Sequence, residues 1–158
     1  MLHTVKYPNS ILTTKCQPVD KFDSELHTLL DQMVQHMRIE NGIGLAANQV
    51  VYPWRVFIML DNKGLVVEFI NPRIIEKEGF QQINEGCLSA PGAFVSVPRS
   101  QNVTVVAQDR HGEEFTIVAY DLEAVCIQHE IDHLDGIFFI DKTSRNQRRA
   151  ALRTLGLK

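Results

Sequence analysis

The chain has 158 residues, of which 44% are hydrophobic and 22% are charged, so it holds enough apolar material for one folded domain with a core. Sixteen Lys and Arg against nineteen Asp and Glu give a net charge of −3, which excludes an overall positive field that would draw the whole chain to nucleic acid. Three cysteines, an odd number, argue against a secreted disulfide framework. The chain shows neither a secretory signal pattern nor an apolar run near the roughly 20 residues of a membrane span, so we expect a cytoplasmic protein.

The first predicted element is an amphipathic helix between Asp20 and Asn41, where apolar residues recur with the period of one helical face. Asp20, Asp23 or Ser24 can cap its start, and Gly42 suits its end. Four runs rich in β-branched and aromatic residues come later and predict strands: Val56–Leu60, Leu65–Ile70, Val103–Ala107 and Phe115–Tyr120. The turn sequences at 61–64 and 109–112 predict antiparallel hairpins.

Two further helices complete the prediction. One begins near Asp121, which can cap it, runs through Leu134 and stops at Asp135-Gly136. The other begins at Thr143 or Ser144 and continues towards the end of the chain. With no repeat or linker between these pieces, we expect a single domain over 1–158 of the α+β class.

A metal-binding pattern lies in the middle of the second helix, at His129-Glu130-Ile131-Asp132-His133. Histidines four residues apart point from one helical face and can reach the same divalent ion. Glu130, about 100° around the helix from His129, lies beside such an ion, where it can take a proton from water that the metal has made acidic. A solvated helix that carries these residues by chance is the alternative, and the apolar neighbours Val125, Cys126 and Ile131 disfavour it.

Two histidines leave a metal site short of a third protein ligand. The candidates are Cys16, Cys87, Cys126, His3, His27, His36, His111 and several carboxylates. Cys87 stands out because Gly86 before it allows close backbone approach and Pro91-Gly92 turns the chain afterwards, which indicates a loop. Cys126 is better suited to a pocket wall, and Cys16, in a polar stretch, has no assigned role.

A second chemistry-bearing segment, Gly42-Ile43-Gly44-Leu45-Ala46-Ala47-Asn48-Gln49, follows the first helix. Its small residues leave backbone amides and carbonyls free to meet an extended ligand. A phosphate-binding loop is excluded, because the segment lacks a third glycine, a Lys-Ser/Thr pair and a preceding strand.

Three segments in this order resemble peptide deformylase, whose marks are a GxGLAAxQ loop, an EGCLS segment and a QHExDH helix. Here they stand at 42–49, 85–89 and 128–133. The resemblance implies antiparallel β-sheets packed around a central metal-binding helix, with an N-terminal and a C-terminal helix. It also implies a hydrolase that removes the N-formyl group from the formylmethionine of new polypeptides and releases formate.

Residue roles follow from the same resemblance. Cys87, His129 and His133 would bind one divalent metal ion, with ferrous iron expected and zinc, nickel or cobalt able to replace it. Glu130 would be the general base and then the acid that protonates the leaving amine. Gln49 and the backbone N–H of Leu88 would hold the developing oxyanion.

The resemblance also places the substrate. The backbone of Ile43, Gly44 and Gly86 would meet the peptide as an added strand. Val125 and Cys126, one turn before the first metal-binding histidine, would form an apolar pocket for the methionine together with Ile43 and His129, although Val125 suits the ordinary core equally well.

Supporting roles are implied for charged neighbours of the motif. Arg99 would bridge to Asp132, and Glu85 would orient the segment around Cys87. The chain departs from the family at Asn48, where many members have proline, and at Val51, where members often have glycine. We expect the bulkier Val51 to alter access to the cleft.

Two other functions compete. Zinc endopeptidases share His-Glu-x-x-His but take a third ligand downstream, where Asp135 and Asp141 are the only acids. A structural metal module that binds ribosomal RNA would need a fourth protein ligand, and none is evident.

The net charge of −3 conceals a division along the chain. Residues 142–158 carry six basic residues and no acid, whereas the rest of the chain is strongly acidic. The basic segment is either a solvated helix face or, as in related bacterial enzymes, a helix that contacts the ribosome. Formylmethionyl peptides, and through this helix the ribosome, are therefore the expected partners of a monomer.

Overall fold

Helix α1 spans Ser24–Ile39 in the computed structural model, which describes residues 1–158. Asp23 caps it, since its carboxylate accepts a hydrogen bond of 3.2 Å from the amide of Leu26. The apolar face is buried as its periodicity predicts. The backbone reverses at Asn41, which has a φ of 56°, rather than at Gly42 as predicted. Asparagine tolerates this left-handed conformation better than other residues with a side chain.

Seven strands follow: β1 Gly44–Ala46, β2 Val56–Leu60, β3 Val66–Glu78, β4 Gln81–Cys87, β5 Ala90–Arg99, β6 Asn102–Gln108 and β7 Glu114–Tyr120. Five of them form one antiparallel sheet in the order β1-β2-β3-β6-β7. Both predicted hairpins, across 61–64 and 109–112, are confirmed. Strand β1 has one open edge, because only β2 pairs with it.

Strands β4 and β5 form a separate hairpin that the sequence did not predict. Cys87 ends β4 instead of lying in a loop, and Pro91 and Gly92 belong to β5, so the chain turns earlier, at Leu88-Ser89. The polar residues Gln81, Gln82 and Asn84 conceal β4 from a hydrophobicity pattern, because most of that strand is exposed.

Helix α2 spans Asp121–Leu134, as predicted, and packs against β1, β2, β6 and β7. Asp121 does not cap it. Its φ is 52°, and its carboxylate accepts a hydrogen bond from the side-chain amide of Gln101. Gln128 instead ties α2 to the turn before β6, since its side chain donates to the carbonyl of Ser100 and accepts from the amide of Ser100, each at 3.0 Å. The central position of α2 confirms the predicted arrangement of antiparallel sheets around a central helix.

Helix α3 spans Arg145–Thr154 and is capped by Ser144, whose hydroxyl accepts from the amide of Gln147 at 3.3 Å. Its buried residues, Ala151 and Leu152, pack in the cluster that includes the inner face of β5. No helix in the structure combines the length and the apolar composition that crossing a membrane requires.

Candidate metal centre

Cys87 at the end of β4 meets His129 and His133 of α2. One potential ligand atom from each residue lies within 4.8 Å of the others, and Cys87 Sγ is 3.3 Å from His133 Nε2. The histidines are four residues apart and therefore share a helix face, with ring centroids separated by 4.9 Å. The cysteine comes from the β4–β5 hairpin and the histidines come from α2, so the tertiary fold brings the three residues together.

The ring of His129 is oriented by Glu85. Its Nδ1 lies 2.9 Å from Glu85 Oε1, which leaves Nε2 for a ligand. Arg99 in turn holds the Glu85 carboxylate in two hydrogen bonds of 2.8 and 2.9 Å and donates to Asp132 at 2.5 Å. The implied Arg99–Asp132 bridge is confirmed, and Arg99, which is 4% exposed, also supports the candidate ligand His129 through Glu85.

The electrostatics of the two imidazoles suit a cation between them and Cys87. Burial, together with the positive charges of His129 and Arg99, lowers the pKa of His133 well below its usual value, so His133 is a neutral donor. Burial also lowers the pKa of His129, but contacts with Cys87 and Glu85 outweigh it and raise that pKa to about 10. These surroundings favour positive charge at the ring of His129, and a metal ion bound to that ring would supply it in place of the proton. A sulfur with two imidazole nitrogens fits a borderline divalent metal.

Glu130 points into the same site. Its carboxylate is buried, and Oε2 contacts no hydrogen-bond partner within the protein. Burial raises the pKa of Glu130 to about 7, the range in which a carboxylate both accepts and returns a proton. Gly44 makes room for it, because a Cβ at Gly44 would lie 2.8 Å from Glu130 Oε1. This close approach explains the second glycine of the 42–49 segment.

Gln49 lies beside Cys87, at the end of that segment. Its side-chain nitrogen donates to Ser89 Oγ at 3.1 Å and to Cys87 Sγ at 3.4 Å, while its oxygen accepts from the amide of Ala46 at 2.9 Å. The N–H of Leu88, next to Cys87, makes no backbone hydrogen bond. The Gln49 side chain therefore lies at the sulfur, and the amide of the residue after Cys87 is left without a backbone partner. Sequence reasoning missed Ser89, since nothing in a lone serine marks it as the partner of Gln49.

A cleft of about 400 Å³ opens onto this site. It is lined by all the residues expected to bind substrate, namely Ile43, Gly44, Gly86, Val125 and Cys126, and also by Cys87, Leu88, Gln49, His129 and Glu130. The structure adds Phe94, Ile83 and Leu122 to its wall, which the sequence reasoning missed. A Cβ at Gly86 would lie 2.6 Å from the ring of Phe94, so a larger residue at position 86 would displace that ring from the cleft wall.

The expectation that Val51 alters access to the cleft is wrong. Val51 does not line the cleft, because it terminates the 3-10 turn Ala47–Val50 on the surface, where it is 57% exposed. Its φ of 73° is in the left-handed region, in which a β-branched residue is strained. We therefore expect valine at position 51, where members of the family often have glycine, to affect the stability of the fold and not access to the cleft.

The remaining ligand candidates lie elsewhere or are unsuited. Cys16 is buried in the core, against the polar surroundings expected of it, and burial raises its pKa to about 11. Burial, then the negative charge of Glu130, raises the pKa of Cys126 to about 12, so it stays a protonated wall of the cleft. The acids that an endopeptidase would need are engaged by arginines: Asp135 pairs with Arg55 and Asp141 with Arg148.

Comparison with known proteins agrees with this geometry. The family model described as polypeptide deformylase matches residues 1–149. Peptide deformylase 1 of Shewanella oneidensis is 45% identical over 151 residues, which cover 94% of this chain and 90% of that protein. The peptide deformylase of Chromobacterium violaceum is 43% identical and covers 92% of this chain and 88% of its own length.

Solved structures give the same result for the fold. A peptide deformylase from Legionella pneumophila superposes with a TM-score of 0.95 at 38% identity, covering 99% of this chain and 94% of that one. A peptide deformylase from Synechococcus elongatus in complex with actinonin superposes with a TM-score of 0.94 at 35% identity, covering 99% and 89%.

Proposed function

The chain belongs to the polypeptide deformylase family, and from this premise we propose that Cys87, His129 and His133 hold the metal ion with which it removes the N-formyl group of new polypeptides. The observation that carries the assignment is the convergence of these three donors at the mouth of a cleft that also contains Glu130. The family is metal-dependent. Bound there, the ion supplies Lewis acidity, which makes water more acidic and polarises the formyl carbonyl.

The donors restrict the class of metal ion that fits the site. A thiolate and two neutral imidazoles favour a borderline metal over magnesium or calcium, which prefer oxygen. Within that class we propose ferrous iron, with zinc, nickel or cobalt as substitutes. The neutral state of His133 and the orientation of His129 by Glu85 prepare both rings for coordination.

Glu130 is the proton carrier in this proposal. Its carboxylate takes the proton from the attacking water and then gives it to the leaving amine, so that formate and a free N-terminus result. The absence of a hydrogen-bond partner on Oε2 keeps that oxygen available. Because Gly44 has no side chain, its backbone leaves room for the Glu130 carboxylate within the cleft.

Gln49 and Leu88 stabilise the charge that develops on the formyl oxygen. Both provide N–H groups beside Cys87, and Gln49 is held by its own bonds to Ala46 and Ser89. Donors fixed in advance need no reorganisation when the oxyanion forms, which is why a single one contributes roughly 3 kcal/mol in comparable hydrolases.

The peptide binds along the open edge of β1. Because the carbonyl of Ile43 accepts from the amide of Leu60 at 2.9 Å, Ile43 and Leu60 form a hydrogen-bonded pair. Gly44, the next residue, therefore turns its N–H and carbonyl away from β2, towards the cleft. Gly86 lines the cleft as well. The exposed side chain of Ile43 then joins Val125 and Cys126 around the methionine.

A formate-release assay tests the proposal. Protein loaded anaerobically with iron, nickel or zinc is given formyl-Met-Ala-Ser, and release of formate is the expected result. Cys87→Ala should lose both the metal and turnover, whereas Cys126→Ala, the matched cysteine on the cleft wall, should retain the metal. No formate with any of the three metals would overturn the assignment.

The basic C-terminal segment gives a second proposal, that α3 contacts the ribosome. Arg145, Arg149 and Arg153 are exposed, whereas Ala151 and Leu152 hold the helix against β5. Deleting 144–158 would expose that core, so charge reversal is the cleaner test. Arg145→Glu with Arg149→Glu should weaken ribosome pelleting in a salt-dependent way and leave peptide hydrolysis unchanged. Equal pelleting would leave the arginines as a solvated face.

Finally, we propose that residues 1–158 act as one cytoplasmic catalytic domain and as a monomer. One sheet, one hairpin and three helices, of which α2 is the central one, form the domain, and the proposed site draws on a single chain. Light scattering of the purified protein should give the mass of one chain, 18.0 kDa.

A further inference from the structure

A second cavity lies on a different face of α2 from the cleft and has a volume of about 250 Å³. The cleft is bordered by Val125, Cys126 and His129 of that helix, whereas this cavity is bordered by Gln128, Ile131, Asp132 and Asp135. Its lining contains five basic residues but only two acids: the basic ones are Arg55, Arg73, Lys77, Arg99 and Lys142. Such an excess is notable because the acids of this chain outnumber its Lys and Arg.

Both acids of the cavity already have basic partners. Asp135 accepts a hydrogen bond of 2.8 Å from Arg55. Asp132 lies 2.5 Å from Arg99 Nη1 and 3.2 Å from Lys142 Nζ. Neither carboxylate is therefore free to neutralise a further cation.

Arg73 and Lys77 are the cations that remain. Both are exposed residues of β3 that border the cavity, and neither makes an ion pair or a side-chain hydrogen bond. Like charges gathered around a concave surface repel each other, and an anion between them would relieve that repulsion. A guanidinium presents a planar pair of donors that matches the oxygens of a phosphate.

We propose that this cavity binds a phosphate group, either as free phosphate or as part of an RNA backbone. A water molecule takes about 30 Å³ of liquid, so the cavity has room for a phosphate and several waters. Lys142 joins the lining to the exposed basic face of α3, which begins at Arg145, and this continuity would allow successive phosphates of one RNA strand to be contacted. None of the proposed metal ligands lines this cavity, and binding there involves no chemical step.

Calorimetric titration of the metal-loaded full chain tests the proposal. The probes are sodium phosphate and a single-stranded RNA of about ten nucleotides, each with sodium chloride at matched ionic strength as the reference. The test variant is Arg73→Ser with Lys77→Ser, and the matched control is Lys15→Ser with Lys63→Ser, which removes two exposed lysines outside the cavity.

The test variant should bind the probe at least about tenfold more weakly than the wild type, while the control variant binds as tightly as the wild type. Binding of free phosphate identifies a small-anion site. Binding of RNA alone identifies a site for the phosphates of a polymer. In that case the slope of log K against log salt concentration should be smaller in magnitude by about 1.4 in the test variant. The proposal is overturned if neither probe binds, or if the test variant binds both as tightly as the wild type. Hydrolysis of formyl-Met-Ala-Ser should be unchanged throughout, so failure here leaves the deformylase assignment intact.

Discussion

The side-chain amide of Asn48 donates a hydrogen bond of 2.7 Å to the main-chain carbonyl of His133. Asn48 is fully buried, one residue before Gln49, and so joins the segment of the proposed oxyanion donor to the end of the helix that carries the proposed ligands His129 and His133. Proline, common at this position in the family, has no donor to make this bond. Asparagine in place of proline at position 48 therefore adds a hydrogen bond between the 42–49 segment and helix α2.

Asn48→Ala should lower the free energy of unfolding by about 1 kcal/mol, because the carbonyl of His133 retains a second donor, the amide of Gly136 at 3.0 Å. Urea denaturation of the metal-free protein measures this. The variant should also lose its metal faster to a chelator, which a purely global effect would not produce at temperatures far below unfolding. Asn146→Ala, an exposed position on α3, serves as the control and should change stability by less than about 0.5 kcal/mol.

Gln49→Leu tests the oxyanion assignment. Loss of one fixed donor should reduce kcat for a formyl-Met peptide on the order of a hundredfold or more, with the metal content unchanged. Steady-state kinetics and metal analysis of the same preparation give both quantities. Gln35→Leu, an exposed residue of α1, provides a matched substitution. Near-full turnover by Gln49→Leu would remove Gln49 from the oxyanion site.

Glu85→Gln tests the buried charge network and predicts a pH dependence. Burial alone would raise the pKa of Glu85, but hydrogen bonds from Arg99 and His129 outweigh burial and lower it below the ordinary value of 4.5. A depressed carboxyl pKa stabilises the fold above the unfolded-state pKa, and that contribution is lost as pH falls through the folded-state pKa.

The variant should therefore be less stable than the wild type by about 3 kcal/mol or more at pH 7, with the difference shrinking at pH values below about 4. Denaturation of the metal-free proteins across this range measures it. Glu114→Gln, on the exposed side of β7, should show no such dependence. A difference between Glu85→Gln and wild type that stays constant with pH would contradict the proposed ionisation.

Val51→Gly should stabilise the protein. A valine at φ 73° is strained by roughly 1 to 3 kcal/mol, and part of the gain is offset because glycine makes the unfolded chain more flexible. We expect a net increase of about 1 kcal/mol in the free energy of unfolding and unchanged turnover. Val118→Gly, exposed in β7 with ordinary backbone geometry, should instead be destabilising.

Val125→Phe probes the methionine pocket. Val125 is 3% exposed and lines the cleft one turn before His129. A larger side chain there should raise KM for a formyl-Met peptide about tenfold, with the metal retained. Val125→Ala, which only enlarges the pocket, should have a smaller effect on KM. An unchanged KM in Val125→Phe would mean that Val125 belongs to the core alone.

The sequence by itself determined the helices, the two hairpins of the large sheet and the His129–His133 pair, because each depends on local spacing: one apolar face, a turn tetrapeptide, or two histidines four residues apart. It also marked Glu130, since helix geometry alone fixes that residue beside His129. Sequence spacing is sufficient to predict a contact when the two residues are separated by only a few positions in the chain.

Only the tertiary structure decided the rest. Physical spacing left Cys87 as one candidate among many. It contacts His133 across 46 positions of sequence, and it lies at the end of β4, a mostly exposed strand without a hydrophobic pattern. The same holds for Arg99 with Glu85, Asn48 with His133, and the basic cavity behind α2. These contacts join elements that are distant in the chain, and packing of the whole core determines which side chains meet there.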